Sequence, residues 1–178
     1  MKTLIRAIGF FFILTIIVGG IYPAMIYGVS QVLFKQQANG GMITHKEQLV
    51  GAELIGQEFT SDKYFWSRPS AAGYNATAST GSNYALTNAD HQKAVKERQA
   101  KGLDYDLLTT SASGLDPHIS PKAAHLQIAR VAQAQNISPE ELIKLVDSQV
   151  EERQWGFLGE QRVNVLKLNL ELQKRSHE

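Results

Sequence analysis

Ala7–Phe34 reads AIGFFFILTIIVGGIYPAMIYGVSQVLF and carries no charged side chain. Up to Val29 it is interrupted only by Thr15, glycines and Pro23. As a helix rising ~1.5 Å per residue, about 23 residues span ~34 Å, enough for a bilayer core of ~30 Å. About 12 of them are Ile, Leu, Phe or Val, which favours insertion by roughly 4–7 kcal/mol before glycine and proline reduce it. The stretch therefore predicts a transmembrane anchor over 7–34, after a short N-terminus at 1–6. Everything beyond Phe34 reads as a water-soluble body tethered to that helix. Pro23 removes one helical hydrogen bond and is expected to kink the segment. Gly19, Gly20 and Gly28 leave flat patches where a second helix can approach.

Charge supplies the orientation. Lys2 and Arg6 precede the apolar run, and only Lys35 follows it before Lys46. The positive-inside rule then puts the N-terminus in the cytoplasm and the large domain outside. A cleaved signal peptide is the alternative. It is disfavoured because the run is about twice the usual length and no A-x-A site follows it. Of 18 Lys and Arg against 17 Asp and Glu, only Lys2 and Arg6 lie before Lys35, so the remainder nets −1. That balance gives no footprint for nucleic acid and no basic belt for anionic lipid. The absence of cysteine excludes disulfides, thiol nucleophiles and thiolate-bound metals.

Residues 35–48 are polar, broken at Gly40-Gly41, and read as a linker into a soluble domain over 49–172, with a polar tail at 173–178. Leu49–Phe59 suggests a strand or bulge. Tyr64-Phe65-Trp66-Ser67-Arg68-Pro69-Ser70-Ala71, Tyr74-Asn75 and Ser79–Tyr84, which includes Ser82 and Asn83, have neither helical nor strand period. Aromatics mixed with Ser, Gly and Asn build ordered loops through side-chain to backbone bonds, and aromatics with an Arg are enriched at interface hot spots. Thr87 or Asn88 can cap a helix to about Ala100, and Leu103–Thr110 alternates weakly as a short strand would. Ser120-Pro121 and Ser138-Pro139 start two further helices, the first stopping near Asn136. Trp155–Glu160 is a turn with apolar anchors. Over 163–172 alternation suggests a strand, while the Leu-rich content and an Asn164 cap favour a helix; the reading leans to helix. The expected class is α+β, one membrane helix followed by one mixed, extracytoplasmic domain.

Thr109–Pro121 brings Ser111, Ser113, Asp116 and His118 within a few residues. Catalytic triad partners are rarely sequence neighbours, and no G-x-S-x-G elbow is present. A metal held by Asp116, His118 and His125 matches no familiar ligand spacing. No catalytic residue and no metal ligand is assigned.

Taken in order, these residues resemble the KdpC family, the C subunits of bacterial Kdp-type potassium-transporting P-type ATPases. The resemblance runs through Leu54-Ile55-Gly56-Gln57, the Tyr64–Ala71 block, Tyr74-Asn75, Ser82-Asn83, Thr87-Asn88, Thr110–Pro121, Arg130-Val131-Ala132, Gly159, Val163–Leu166 and Leu168-Asn169. It covers nearly the whole chain. It implies a non-catalytic accessory subunit whose partners are a channel-like potassium-binding subunit and an ATP-hydrolysing subunit. It also implies a catalytic-chaperone role that raises the pump subunit's ATP affinity, with no tightly bound cofactor and ATP met only in a transient complex.

An extracytoplasmic domain cannot touch cytoplasmic ATP, so such an effect would be a coupling between distant sites, typically ~1–3 kcal/mol. Tyr64, Phe65, Trp66, Arg68, Pro69, Asn75, Ser82 and Asn83 are the candidate partner or loop contacts. Ser111, Ser113, Gly114, Asp116 and His118 match the family block and carry whatever nucleotide-linked role the resemblance implies. Gly19, Gly20, Pro23 and Gly28 are the candidate packing positions in the membrane. The competing readings are an anchored hydrolase using Ser113, Asp116 and His118, and an anchored binding module using Tyr64–Tyr84.

Overall fold

The computed structural model describes residues 1–45 and 47–175. The chain divides into two units, Met1–Val50 and Gly51–Glu178.

The first unit is a rod. Helix α1 (Lys2–Ile16), a π-helical turn (Ile17–Ile21) and helix α2 (Tyr22–Leu33) form one continuous helix of 32 residues, the one stretch among the described residues long and apolar enough to cross a membrane. The expected kink at Pro23 takes the form of that wide turn. Proline has no N–H and its ring crowds the carbonyl four residues back, here Gly19. The backbone relieves this by widening one turn, and the Tyr22 N–H bonds five residues back to the Ile17 carbonyl. Thr15 Oγ1 returns its hydrogen to the Phe11 carbonyl at 2.8 Å, so that hydroxyl is not left bare on the apolar surface. Gly9, Gly19, Gly20 and Gly28 have no atom within 4 Å of where a Cβ would sit. The rod ends at Phe34, whose ψ of 43° leaves the helical region. The segment read as a linker holds a single-turn helix α3 (Lys35–Ala38) and strand β1 (Met42–His45). Strand β1 pairs with β2 (Gln48–Ala52) in a two-stranded sheet. The strand expected over 49–59 therefore stops at Ala52, and turns follow.

The second unit is built on helices α5 (Pro121–Gln135), α6 (Pro139–Ser148) and α7 (Val165–Arg175) against a three-stranded antiparallel sheet. Its strands β3 (His118–Ile119), β4 (Val150–Glu151) and β5 (Arg162–Asn164) lie in the order β3-β5-β4, with Ile119 and Val150 both facing Val163. Val131, Leu142, Leu145, Val146, Val163, Leu168 and Leu172 meet Phe65 in one core. A fully buried side chain of this size contributes about 1.5–3 kcal/mol. Both predicted serine caps are made, Ser120 to the Ala123 N–H and Ser138 to the Glu141 N–H. Asn136 stops α5 in the left-handed conformation, φ 56°.

Region 163–172 resolves into both alternatives. Strand pairing ends at Asn164, whose Oδ1 takes the Lys167 N–H at 3.1 Å. Val165, Leu168, Asn169 and Leu172 then recur at helical spacing on the buried face. Asn88 caps α4 (Ala89–Ala100), which buries no residue. Leu103–Thr110 is not a strand. Asp104 accepts the Tyr105 N–H and closes a 3-10 turn over Tyr105–Leu107 that drives Leu107 into the core. Alternation over so short a run was satisfied by one inward leucine.

Candidate functional site

The loop over 61–74 is lashed to the helices by side chains standing in for a neighbouring strand. Asn169, on the apolar face of α7, takes the Phe65 N–H on Oδ1 at 2.8 Å and returns its own amide hydrogen to the Phe65 carbonyl at 2.9 Å. Gln127, on α5, does the same for the next residue, accepting the Trp66 N–H at 2.7 Å and donating to the Trp66 and Ala123 carbonyls. Both carboxamides are 2% exposed, and at that burial every donor and acceptor needs a partner. Arg130 lies one turn beyond Gln127. Its guanidinium carbon is 3.7 Å from the centre of the Trp66 indole, a cation–π stack. Its nitrogens reach the carbonyls of Asp62 and Tyr64 and the Gln127 Oε1. Burial pulls the Arg130 pKa down, against the pull of Asp62.

The two family blocks close on each other. Arg68 Nη1 meets Asp116 Oδ2 at 3.1 Å. Ser70 donates to the Gly114 carbonyl at 2.6 Å while its oxygen accepts the N–H groups of Ala72 and Tyr74. The Ser111 N–H bonds the Pro69 carbonyl. Tyr74 donates its hydroxyl to the Arg68 carbonyl, and burial followed by Glu58 pushes its pKa up to about 12. Gly114 has φ +68°, and a Cβ there would stand 2.6 Å from the Thr80 carbonyl oxygen and 2.9 Å from Ala72 Cβ. Only glycine permits the contact. Gly56 also runs against this seam, its N–H bonding the Leu115 carbonyl at 2.8 Å.

Asn75 is exposed and makes a local turn, accepting from the N–H and hydroxyl of Thr77. Ser82 is half-buried, and Asn83 is exposed at φ 54°. The structure thus joins Arg68, Pro69 and Ser70 to Ser111, Gly114 and Asp116 through one bonded seam, while Tyr64, Phe65 and Trp66 are held by Arg130, Asn169 and Gln127. It leaves Asn75 and Asn83 outside that seam.

Within the second block Ser113 and Asp116 also serve the local backbone. Ser113 Oγ accepts the Leu115 N–H at 3.1 Å, and Asp116 Oδ1 accepts the His118 N–H at 3.0 Å. Ser113 and His118 share no hydrogen bond among the described residues, so the relay a serine hydrolase needs is not assembled. His118 stands 3.8 Å from Asp116 and 4.0 Å from Glu151. Burial first, then Arg162, lowers its pKa, against Glu151 and Asp116. His125 points elsewhere, to Asp147 at 2.9 Å on α6, so it cannot join Asp116 and His118 around one ion.

Two open clefts flank the seam. One of about 370 Å³ is lined by Phe59, Trp66, Tyr74, Arg98 and Lys101 among others. The other, about 360 Å³, holds Arg68, Asp106, Asp116, His118, Glu160 and Arg162. Its lining thus carries three carboxylates and two guanidinium groups beside His118, with Arg68 and Asp116 already paired.

Gln127 and Asn169 received no role from the sequence reading. Their signal was present: a carboxamide at a core-facing helix position must be bonded to something.

A family model described as "K+-transporting ATPase, c chain" matches residues 4–174. A protein of Geotalea uraniireducens named "Potassium-transporting ATPase KdpC subunit" is 50% identical over 99% of this chain and 100% of its own length. Proteins of the same name from Geobacter sulfurreducens and Serratia proteamaculans are each 49% identical, the first over 97% of both chains, the second over 90% of this chain and 92% of its own. With that match running from the apolar rod through both interlocked loops to α7, the chain belongs to the KdpC family, the c chains of K+-transporting ATPases.

Proposed function

We propose that this chain is a single-span accessory subunit of a potassium-transporting ATPase in a bacterial inner membrane. Its N-terminus lies in the cytoplasm and its globular domain outside. The observation that carries the reading is the rod: 32 residues with no buried side chain and four glycines with open flanks. Such a surface is stable only in lipid or against other helices. The domain adds a pre-formed, side-chain-lashed loop system that offers a rigid body to a neighbour. It packs on the channel-like potassium-binding subunit and supports assembly and high-affinity uptake. An effect on the ATP affinity of the pump subunit then acts through the shared membrane helices as a coupling of ~1–3 kcal/mol. ATP is met only in a transient complex with the pump subunit.

The test is extraction of the complex in mild detergent with the full chain tagged. The other subunits should come out with it, and a cysteine placed at the exposed Gln133 should react only with reagent supplied from outside the cell. Labelling from the cytoplasmic side alone would overturn the orientation. A chain that extracts by itself would overturn the accessory role.

A further inference from the structure

Beyond the two interlocked loops, the second unit carries one arm that the fold does not use. Between β4 and β5 the chain runs out as a hairpin whose tip, Gln154–Gly159, has no charged residue. Trp155 is 85% exposed, Phe157 68% and Leu158 43%. Trp155 sits at φ 53°, a left-handed conformation that a bulky aromatic rarely takes.

The arm is stiff. Gln154 and Leu158 exchange both backbone bonds at 3.0 and 2.9 Å, and the Gly156 N–H bonds the Arg153 carbonyl. Lower down, Gln161 donates to both carboxylate oxygens of Glu152 at 2.9 Å, and Arg162 Nε donates to Glu151 at 2.9 Å. An aromatic tip held out in one conformation has already met the ordering cost of binding.

We infer that this tip is a docking finger whose Trp155 and Phe157 seat in an apolar pocket of another protein subunit of the same transport complex. This rests on the accessory-subunit reading above. Three features favour protein over lipid. The tip is ringed by charges of both signs, Glu151, Glu152, Arg153, Glu160 and Arg162, the aromatic centre and polar rim of a protein interface. Those five charges net −1, which repels rather than attracts anionic headgroups. The tip is also convex, so its complement is a concave apolar surface, the setting in which Trp anchors carry most binding energy.

The experiment uses the full chain co-expressed with its partner subunits. A photo-crosslinking benzoylphenylalanine replaces Trp155, and in parallel the double variant Trp155→Ser/Phe157→Ser is purified. We expect a covalent adduct to another subunit. We also expect the double variant to be retained in the complex at least about thirtyfold more weakly, the equilibrium equivalent of one lost hot-spot anchor. The variant's urea midpoint should match wild type, because Trp155 and Phe157 are mostly exposed and lie outside the core. An adduct to lipid, an adduct to a second copy of this chain, no adduct, or unchanged retention would each overturn the inference while leaving the accessory role standing. Wild-type chain that co-purifies with no subunit would remove that role and the inference together.

Discussion

Replacing Asn169 tests the lashing of the first loop directly. Its side chain meets both polar groups of the Phe65 backbone, at 2.8 and 2.9 Å, where Phe65 is 0% and Asn169 2% exposed. Asn169→Ala leaves one N–H and one C=O buried without partners. Each such orphan costs about 1–3 kcal/mol. With some relief from water entering the space vacated, we expect a net loss of about 3–4 kcal/mol, a large share of the ~5–15 kcal/mol that holds a domain folded.

Asn169→Asp is the sharper variant. A neutral carboxylic acid can accept from the N–H and donate to the C=O, as the amide does. A carboxylate can only accept, and it carries a buried charge. Burial therefore raises the folded-state pKa above the unfolded value near ~3.9. Between those two values the folded state binds more protons than the unfolded one, so stability falls as pH rises. The variant should approach wild type below about pH 4 and weaken through the folded pKa.

The assay is urea unfolding of the full chain in detergent, in a Trp155→Phe background. Trp66, stacked on Arg130, is then the one indole of the two in the sequence that reports. An Asn169→Ala midpoint within about 0.5 kcal/mol of wild type, or an Asn169→Asp variant with the pH profile of its parent, would refute the clamp.

Gly114→Ala should cost about 1–3 kcal/mol from its φ of +68° alone, and more from contact with the Thr80 carbonyl; a thermal melt reads it, and an unshifted Tm would show the seam to be loose. Arg68→Ala breaks the 3.1 Å pair with Asp116, whose partners are 27% and 29% exposed. The expected stability loss is only about 0.5–1 kcal/mol, with a fall in the yield of intact complex measured by co-purification. His118 has its folded pKa lowered by burial and Arg162. Its contribution is complete above the unfolded value near ~6.5 and is lost as pH falls through the folded one. His118→Gln should flatten that part of the stability–pH curve. Pro23→Ala should restore a regular helix in place of the π-turn at Ile17–Ile21, read by cysteine accessibility along 17–24 in membranes.

Much of this architecture could be read from residue types. The rod, the caps at Asn88, Ser120 and Ser138 and the stop at Asn136 follow from local rules, because each depends on neighbours within about four positions. The strand assigned to Leu103–Thr110 failed because weak alternation over eight residues cannot compete with an Asp104 cap and one leucine in reach of the core. The site was half visible. Composition singled out Tyr64–Ala71 and Thr110–Pro121, but nothing local says that Arg68 finds Asp116 or that Ser70 finds Gly114. Such pairings span 48 and 44 residues and are set by tertiary packing. Gln127 and Asn169 went unread for the same reason: a polar residue on an apolar helix face declares that it has a partner without saying which.

The distance between the two ends of the clamp has a consequence for biogenesis. Phe65 and Asn169 are 104 positions apart, so at ~5–20 residues per second a ribosome needs about 5–20 s to supply the second after the first. For that interval the Phe65 backbone has no side-chain amide to close upon, while Gln127 arrives part-way through for Trp66. A chain cut just before residue 165 would hold Gln127 for Trp66 but no amide for Phe65, and would emerge with its apolar rod complete and that backbone position unpaired, a mark for quality-control proteases.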